Sequence, residues 1–211
     1  MKSQQNSSDQ TINFFDALQF HFVLGSDPSL LFHCHHVVNV AYQILNQFPP
    51  SSQIDRDLVL IGALLHDIGR NKTQGIGHAL AGSELILDNF SKTPFILKLA
   101  NVVSSHIGGG IPKQEAFKLG LPKQDFIPTT LEEKIVCYSD KMVDYTFDKS
   151  NNTYRILKWF TYNSVENETK KLVLNLGKNH PAIKRLQVLE KDLFSFHDSK
   201  PFIIKNYETK R

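Results

Sequence analysis

His66 and Asp67 stand side by side in the otherwise apolar run Ala63-Leu64-Leu65-His66-Asp67-Ile68-Gly69-Arg70. An apolar helix that should continue into a core instead presents an imidazole beside a carboxylate and then meets a glycine. Burying an unpaired polar group costs ~2–7 kcal/mol, and a charge more, so the pair needs compensation. Neutral imidazole and carboxylate are the usual ligands of first-row divalent cations, which makes a metal ion the natural partner. Adjacent helix positions point about 100° apart, so two residues cannot close a site alone. Further ligands are available at His33, in Leu31-Phe32-His33-Cys34-His35-His36-Val37, and at Asp140, which ends Glu133-Lys134-Ile135-Val136-Cys137-Tyr138-Ser139-Asp140.

The elements that must position these residues are helices, since apolar residues recur at helical spacing almost throughout. Val37, Val40, Ala41, Ile44, Leu45 and Phe48 make one stripe, closed by Pro49-Pro50. Asp55 opens a helix through Leu58, Ile61 and Leu65 to His66, with Gly69 closing it. A third helix runs from His78 to Phe90, and Thr93-Pro94 opens a fourth that reaches His106. Gly108-Gly109-Gly110 breaks the pattern, and residues 108–128 have room only for a short helix near Glu115–Leu119. Thr130-Leu131-Glu132-Glu133 is a capping box that opens the helix bearing Asp140. After the polar seam Lys149-Ser150-Asn151-Asn152, two or three more helices are expected over 153–197, and no stretch reads as a strand. The expected class is all-α.

In these residues the chain resembles the HD-domain metal-dependent phosphohydrolases, whose signature is a His, then a His-Asp doublet, then a later Asp. His33 with Val37, Ala41 and Ile44 matches the spacing of that family's first ligand helix, although His36, with Val40 four residues on, competes for the role. His66-Asp67-Ile68-Gly69 is the literal form of the HDIG subset. The match covers residues 30–145 and is closest to small prokaryotic, often archaeal, HDIG proteins. It is also similar to the HD-type symmetrical dinucleoside-tetraphosphate hydrolases, which carry a Glu-Lys-Ile run before the last Asp.

The resemblance implies an HD-domain helical bundle, expected over 11–149; the polar stretch 1–10 reads as disordered, and residues 150–211, which lie outside the resemblance, as a helical C-terminal extension packed on the domain. It implies hydrolysis of a nucleotide or related phosphate ester by a metal-activated water. His33, His66, Asp67 and Asp140 would hold one divalent ion with coordination positions left open. Asp67 would orient the water, and Arg70 and Lys72 would neutralise charge on the phosphate. Binuclear members place a second ion on a His in a His-x-x-x-Gly context and on another at a helix end. His78 (with Gly82) and His106 fit those contexts, with Asp67 bridging. The cofactor is therefore one or two divalent ions drawn from Mn, Fe, Mg, Co, Ni or Zn. One alternative shares nearly the same ligands, a di-iron oxygenase of the inositol or phosphonate oxygenase type; another is a non-catalytic nucleotide-binding HD protein, a class that usually lacks one or more of these ligands.

Lys113, Lys118 and Lys123 make the Gly/Pro-rich segment 108–128 basic, and such a loop is the expected substrate cover. His21, His180 and His197 have no partner pattern and default to surface or satisfied core. The chain has 211 residues, a formal charge of +3 and two cysteines, Cys34 and Cys137. That charge carries no strong nucleic-acid signal, and two thiols make no disulfide framework, so both read as buried and reduced. The longest apolar stretch, Leu58–Leu65, is far short of the ~20 residues that span a bilayer. Residues 1–10 are polar and do not read as a signal peptide. A cytoplasmic protein with a small-molecule phosphate ester or nucleotide as substrate, without a membrane partner and with a homodimer left open, is the expectation.

Overall fold

The computed structural model describes residues 12–148, 153–159 and 164–195. Its helices begin where the local chemistry provides caps. Asn13 and Asp16 form a capping box at the head of α1 (Phe14–Val23), and Asp27 with Pro28 opens α2 (Pro28–Leu45). Asp55 caps α3 (Arg56–Leu65) by accepting from the Leu58 N–H. Thr93 and Pro94 start α5 (Pro94–Ser104), and the expected Thr130/Glu133 box starts α7 (Leu131–Lys141). Each such cap stabilises its helix by about 1 kcal/mol, enough to settle where a short helix starts. The remaining helices are α4 (His78–Asn89), α6 (Lys113–Lys118), α8 (Ser164–Leu176) and α9 (Pro181–Phe194).

The fold is all-α, with α3 at its centre. Leu58, Val59, Ile61, Gly62, Ala63, Leu64 and Leu65 are all buried, so every face of this helix is covered. It packs on α1, α2, α5 and α7. A helix that is apolar all round must lie inside the bundle, and here its C-terminal end delivers His66-Asp67 to the interior. Among the described residues, no helix is long and apolar enough to cross a membrane.

One expectation is corrected. Residues 143–148 and 153–159 are strands, not helix: β1 (Val143–Asp148) and β2 (Thr153–Trp159) pair antiparallel, with a register shift at Asp144/Tyr145. Val143, Tyr145 and Phe147 alternate in β1, and β2 holds Tyr154, Ile156 and Trp159. β-branched and aromatic residues flanking a polar seam are a hairpin signal. The seam itself, residues 149–152, lies outside the described residues, as do His197 and the expected disordered stretch 1–10.

The 108–128 segment is also more ordered than a loose cover. Ile111 and Phe126 exchange two backbone hydrogen bonds of 2.8 Å, and with Ala116 they form a small second core against Ile76, Leu80, Ile107 and Leu121. Arg185 of α9 grips Glu115 of α6 through two bonds of 2.9 Å. The bidentate geometry is the strong form of this pair.

Candidate metal centre

His33 lies on the buried stripe of α2, which runs Leu30, His33, Cys34, Val37, Val40, Ala41, Ile44, Leu45. That face settles the competition among neighbouring histidines: His35 is exposed beside Asn39, and His36 is half-buried against the Phe32 ring. Asp140 sits one turn beyond the buried Val136 on α7. His33 Nε2 lies 3.2 Å from Asp140 Oδ1 and 3.2 Å from His66 Nε2. His66 Nε2 is 3.5 Å from the same Asp140 oxygen.

Asp67 turns its two oxygens in different directions. Oδ2 lies 3.7 Å from His66 Nε2 and 3.9 Å from His33 Nε2. Oδ1 lies 2.9 Å from His78 Nε2 and 3.5 Å from His106 Nε2. The structure thus brings together all six residues singled out in sequence as metal ligands: His33, His66, Asp67, Asp140, His78 and His106. Neither Cys34 nor Cys137 joins a ligand group among the described residues. Cys34 is buried in the core, and the Cys137 thiol donates to the His106 carbonyl.

His78 reaches Asp67 because two glycines let the backbones touch. The doublet leads into a 3₁₀ turn, Ile68–Asn71, which packs directly on α4. A Cβ on Gly69 would lie 2.0 Å from the His78 carbonyl oxygen and 2.4 Å from the Gly82 nitrogen. A Cβ on Gly82 would meet Val103 at 2.9 Å. The Gly of the HDIG run and the Gly four residues after His78 therefore serve one contact. His106 follows the end of α5 and precedes Gly108, Gly109 and Gly110, all at positive φ, which turn the chain away at once.

The tautomers are set by the backbone. The Nδ1–H groups of His66, His78 and His106 donate to the carbonyls of Ala63, Gly75 and Val103, each three residues earlier. This leaves every Nε2 aimed at the centre, the arrangement in which an outer hydrogen bond orients a ligating imidazole. His78 Nε2 and His106 Nε2 then face each other across 3.0 Å. Two lone pairs at that distance repel unless a cation or a proton lies between them. The donor set therefore fits a divalent metal, and the shared carboxylate fits two.

Electrostatics agree. Burial pushes the His106 imidazole down to about 4, so its ring is neutral. Burial opposes ionisation of Asp67, but His66, His106 and His78 override it and hold its carboxyl well below the usual range. Burial likewise disfavours the charged form of His66, yet Asp67 pulls its pKa well above the ordinary value. Asp140 is held low against burial by Lys141, then by His33 and His66. The buried Asp67 and the half-buried Asp140 thus demand positive charge where the Nε2 atoms converge.

The cluster opens into a cavity of about 780 Å³. Arg70 lines it and donates from Nε to Asp67 Oδ2 at 2.6 Å. Of the cations singled out in sequence, Arg70 is the one placed at the cavity among the described residues. Lys72, Lys113, Lys118 and Lys123 are exposed and none lines the cavity. The last three stand on the self-packed 108–128 lobe, where Lys123 lies over the Phe117 ring. Among the described residues, the cations in the cavity wall are Arg70, Lys141 and Lys171, with the carboxylate of Glu168 beside Lys171 at 3.4 Å. Lys141 is bonded to Asp140 and follows it directly in sequence, so it was within reach of sequence reasoning. Glu168 and Lys171 come from α8, and no motif there announces them.

The HD domain family model matches residues 30–143. A relative named only as an uncharacterized protein, from Methanocaldococcus jannaschii, is 38% identical over 162 residues, 76% of this chain and 85% of the relative. A tRNA (cytidine(56)-2'-O)-methyltransferase of Picrophilus torridus is 36% identical over 171 residues, 81% of this chain but 43% of that protein. Its counterpart from Thermoplasma volcanium is 37% identical over 118 residues, 56% of this chain and 32% of that protein. The chain thus spans less than half the length of either methyltransferase. No solved structure matches it.

Proposed function

Because this chain belongs to the HD-domain family, we propose that it is a metal-dependent phosphohydrolase acting on a nucleotide or related phosphate ester. The observation that carries this reading is Asp67, whose Oδ2 faces His33 and His66 while Oδ1 faces His78 and His106. His33, His66, Asp67 and Asp140 would hold one divalent ion, and His78 and His106, with Asp67 shared, a second. Bound there, the metal supplies Lewis acidity toward a phosphoryl oxygen and lowers the pKa of water.

The chain's own groups do the rest. Asp67, kept ionised by the surrounding imidazoles, orients rather than surrenders a proton. Arg70 is fixed through its Nε, which leaves its two terminal nitrogens for a pair of phosphate oxygens, the match that guanidinium makes best. Lys141 keeps Asp140 aligned and adds positive charge to the same wall. A cavity of about 780 Å³ suits a nucleotide-sized ester.

The test is metal analysis of protein purified without chelator. An anaerobic panel with Mn²⁺ or Mg²⁺ follows, covering mononucleotides, dinucleoside polyphosphates, cyclic dinucleotides and phosphorylated RNA ends. Anaerobic release of phosphate supports hydrolysis; turnover that requires iron and O₂ would favour the oxygenase instead. The RNA arm is included because two relatives are named as tRNA methyltransferases.

A second measurement addresses the number of ions. Replacing His78 or His106 with Ala is expected to lower metal content from about two ions to about one per chain, with turnover falling in step. Unchanged metal content with a raised KM would instead mean that both histidines grip phosphate.

A further inference from the structure

Three residues outside the ligand set surround the doublet: His21 on α1, Ser26 in the α1–α2 turn, and Asn71 at the end of the 3₁₀ turn. His21 is fully buried, and its Nε2 lies 2.9 Å from the carbonyl oxygen of Leu64, two residues before His66. A carbonyl can only accept, so Nε2 carries the proton and Nδ1 presents its lone pair. Ser26 Oγ, 2.9 Å from Nδ1, must then donate to it. The Asn71 amide nitrogen donates one hydrogen to Ser26 Oγ at 2.8 Å and the other to the Ile68 carbonyl at 2.9 Å, just after Asp67. Every proton in this path has a single consistent place.

The path runs from the backbone before the doublet to the backbone after it. Leu64 lies in the last turn of α3, where helix carbonyls lose their intrahelical partners. Ser26 is held in turn by its own N–H, which donates to the His21 carbonyl at 3.0 Å behind Gly25, whose φ is +64°. His21 and Ser26 both precede the family-matched span 30–143, so this support comes from the chain's own N-terminal helix.

We propose that His21, Ser26 and Asn71 are positioning residues: together they clamp the backbone on both sides of His66-Asp67 and so hold the doublet at metal-binding geometry. The inference rests on the metal-dependent reading above. It differs from a merely structural role, because it requires metal affinity to fall in a protein that remains folded.

The experiment measures Mn²⁺ affinity of the full chain by electron paramagnetic resonance titration, at a temperature where circular dichroism shows each variant folded. His21→Phe, Ser26→Ala and Asn71→Leu are each expected to weaken Mn²⁺ binding ~10–100-fold, the usual cost of losing an outer support. His21→Gln, which can still donate to Leu64, should recover part of that loss. Ser26→Ala combined with Asn71→Leu should cost less than the product of the single losses, since both cut one path. If His21→Phe fails to fold, the removal of one hydroxyl in Ser26→Ala carries the test. Folded variants that bind Mn²⁺ within twofold of wild type would overturn the proposal while leaving the phosphohydrolase reading intact. A wild-type chain that binds neither Mn²⁺ nor any of Fe²⁺, Mg²⁺, Co²⁺, Ni²⁺ and Zn²⁺ would overturn both.

Discussion

Asp67→Asn is expected to abolish metal binding and with it all measurable turnover, while the chain stays folded. Asparagine keeps the shape of the side chain but loses the charge that two sets of imidazoles share through Oδ1 and Oδ2. Loss of an outer support typically costs 10–100-fold in activity, so loss of a bridging ligand should exceed ~100-fold. Folding should survive because the substitution also removes a buried charge whose desolvation is costly, while the neutral amide keeps the shape of the side chain. Asp67→Ala should behave alike. The decisive readout pairs turnover with the metal-induced rise in Tm. Wild type at about 100 times its Kd for Mn²⁺ gains ~2.7 kcal/mol, and the variant should gain nothing. A variant with wild-type turnover would show that the doublet is not part of the chemistry.

Gly69→Ala should be the most damaging single methyl addition near the site. Its Cβ would lie 2.0 Å from the His78 carbonyl and 2.4 Å from the Gly82 nitrogen, both backbone atoms that cannot swing aside. Overpacking costs ~1–3 kcal/mol where side chains can yield, so this substitution should cost about 3 kcal/mol or more. Because the contact sets α4 against the doublet, relief of the clash must carry His78 away from Asp67, and metal content should fall with stability. Gly120→Ala is the control: its φ is +78° and its Cβ meets nothing within 4 Å. Strain in the left-handed region limits that variant to ~1–2 kcal/mol. Urea midpoints of the two variants check the comparison. Equal stability of Gly69→Ala and wild type would mean that the turn and α4 do not meet as described.

The sequence by itself determined what local forces decide. Helix starts at Asp55, Thr93 and Thr130 follow from side-chain oxygens that satisfy first-turn N–H groups, and those caps are present as expected. The spacing of Val37, Ala41 and Ile44 favoured His33 over His35 and His36, and α2 carries His33 on its buried face. The doublet was legible because polar groups in an apolar run need a partner wherever the chain goes. The hairpin was missed because alternation over six residues competes poorly with helical spacing on either side.

Only the tertiary structure decided what depends on separate segments meeting. Basic residues at 113, 118 and 123 are conspicuous in sequence, yet a small core around Ile111 and Phe126 carries them away from the cavity. Arg70, Lys141 and Lys171 line it instead, the last from a helix that no motif marks. The same holds for Asp67: which imidazoles its two oxygens meet depends on the backbone contact at Gly69 and Gly82. Spacing along the chain names ligands because residue type and local periodicity are local properties. Their convergence is set by how α2, α3, α4, α5 and α7 pack, and that is fixed only when the whole core closes.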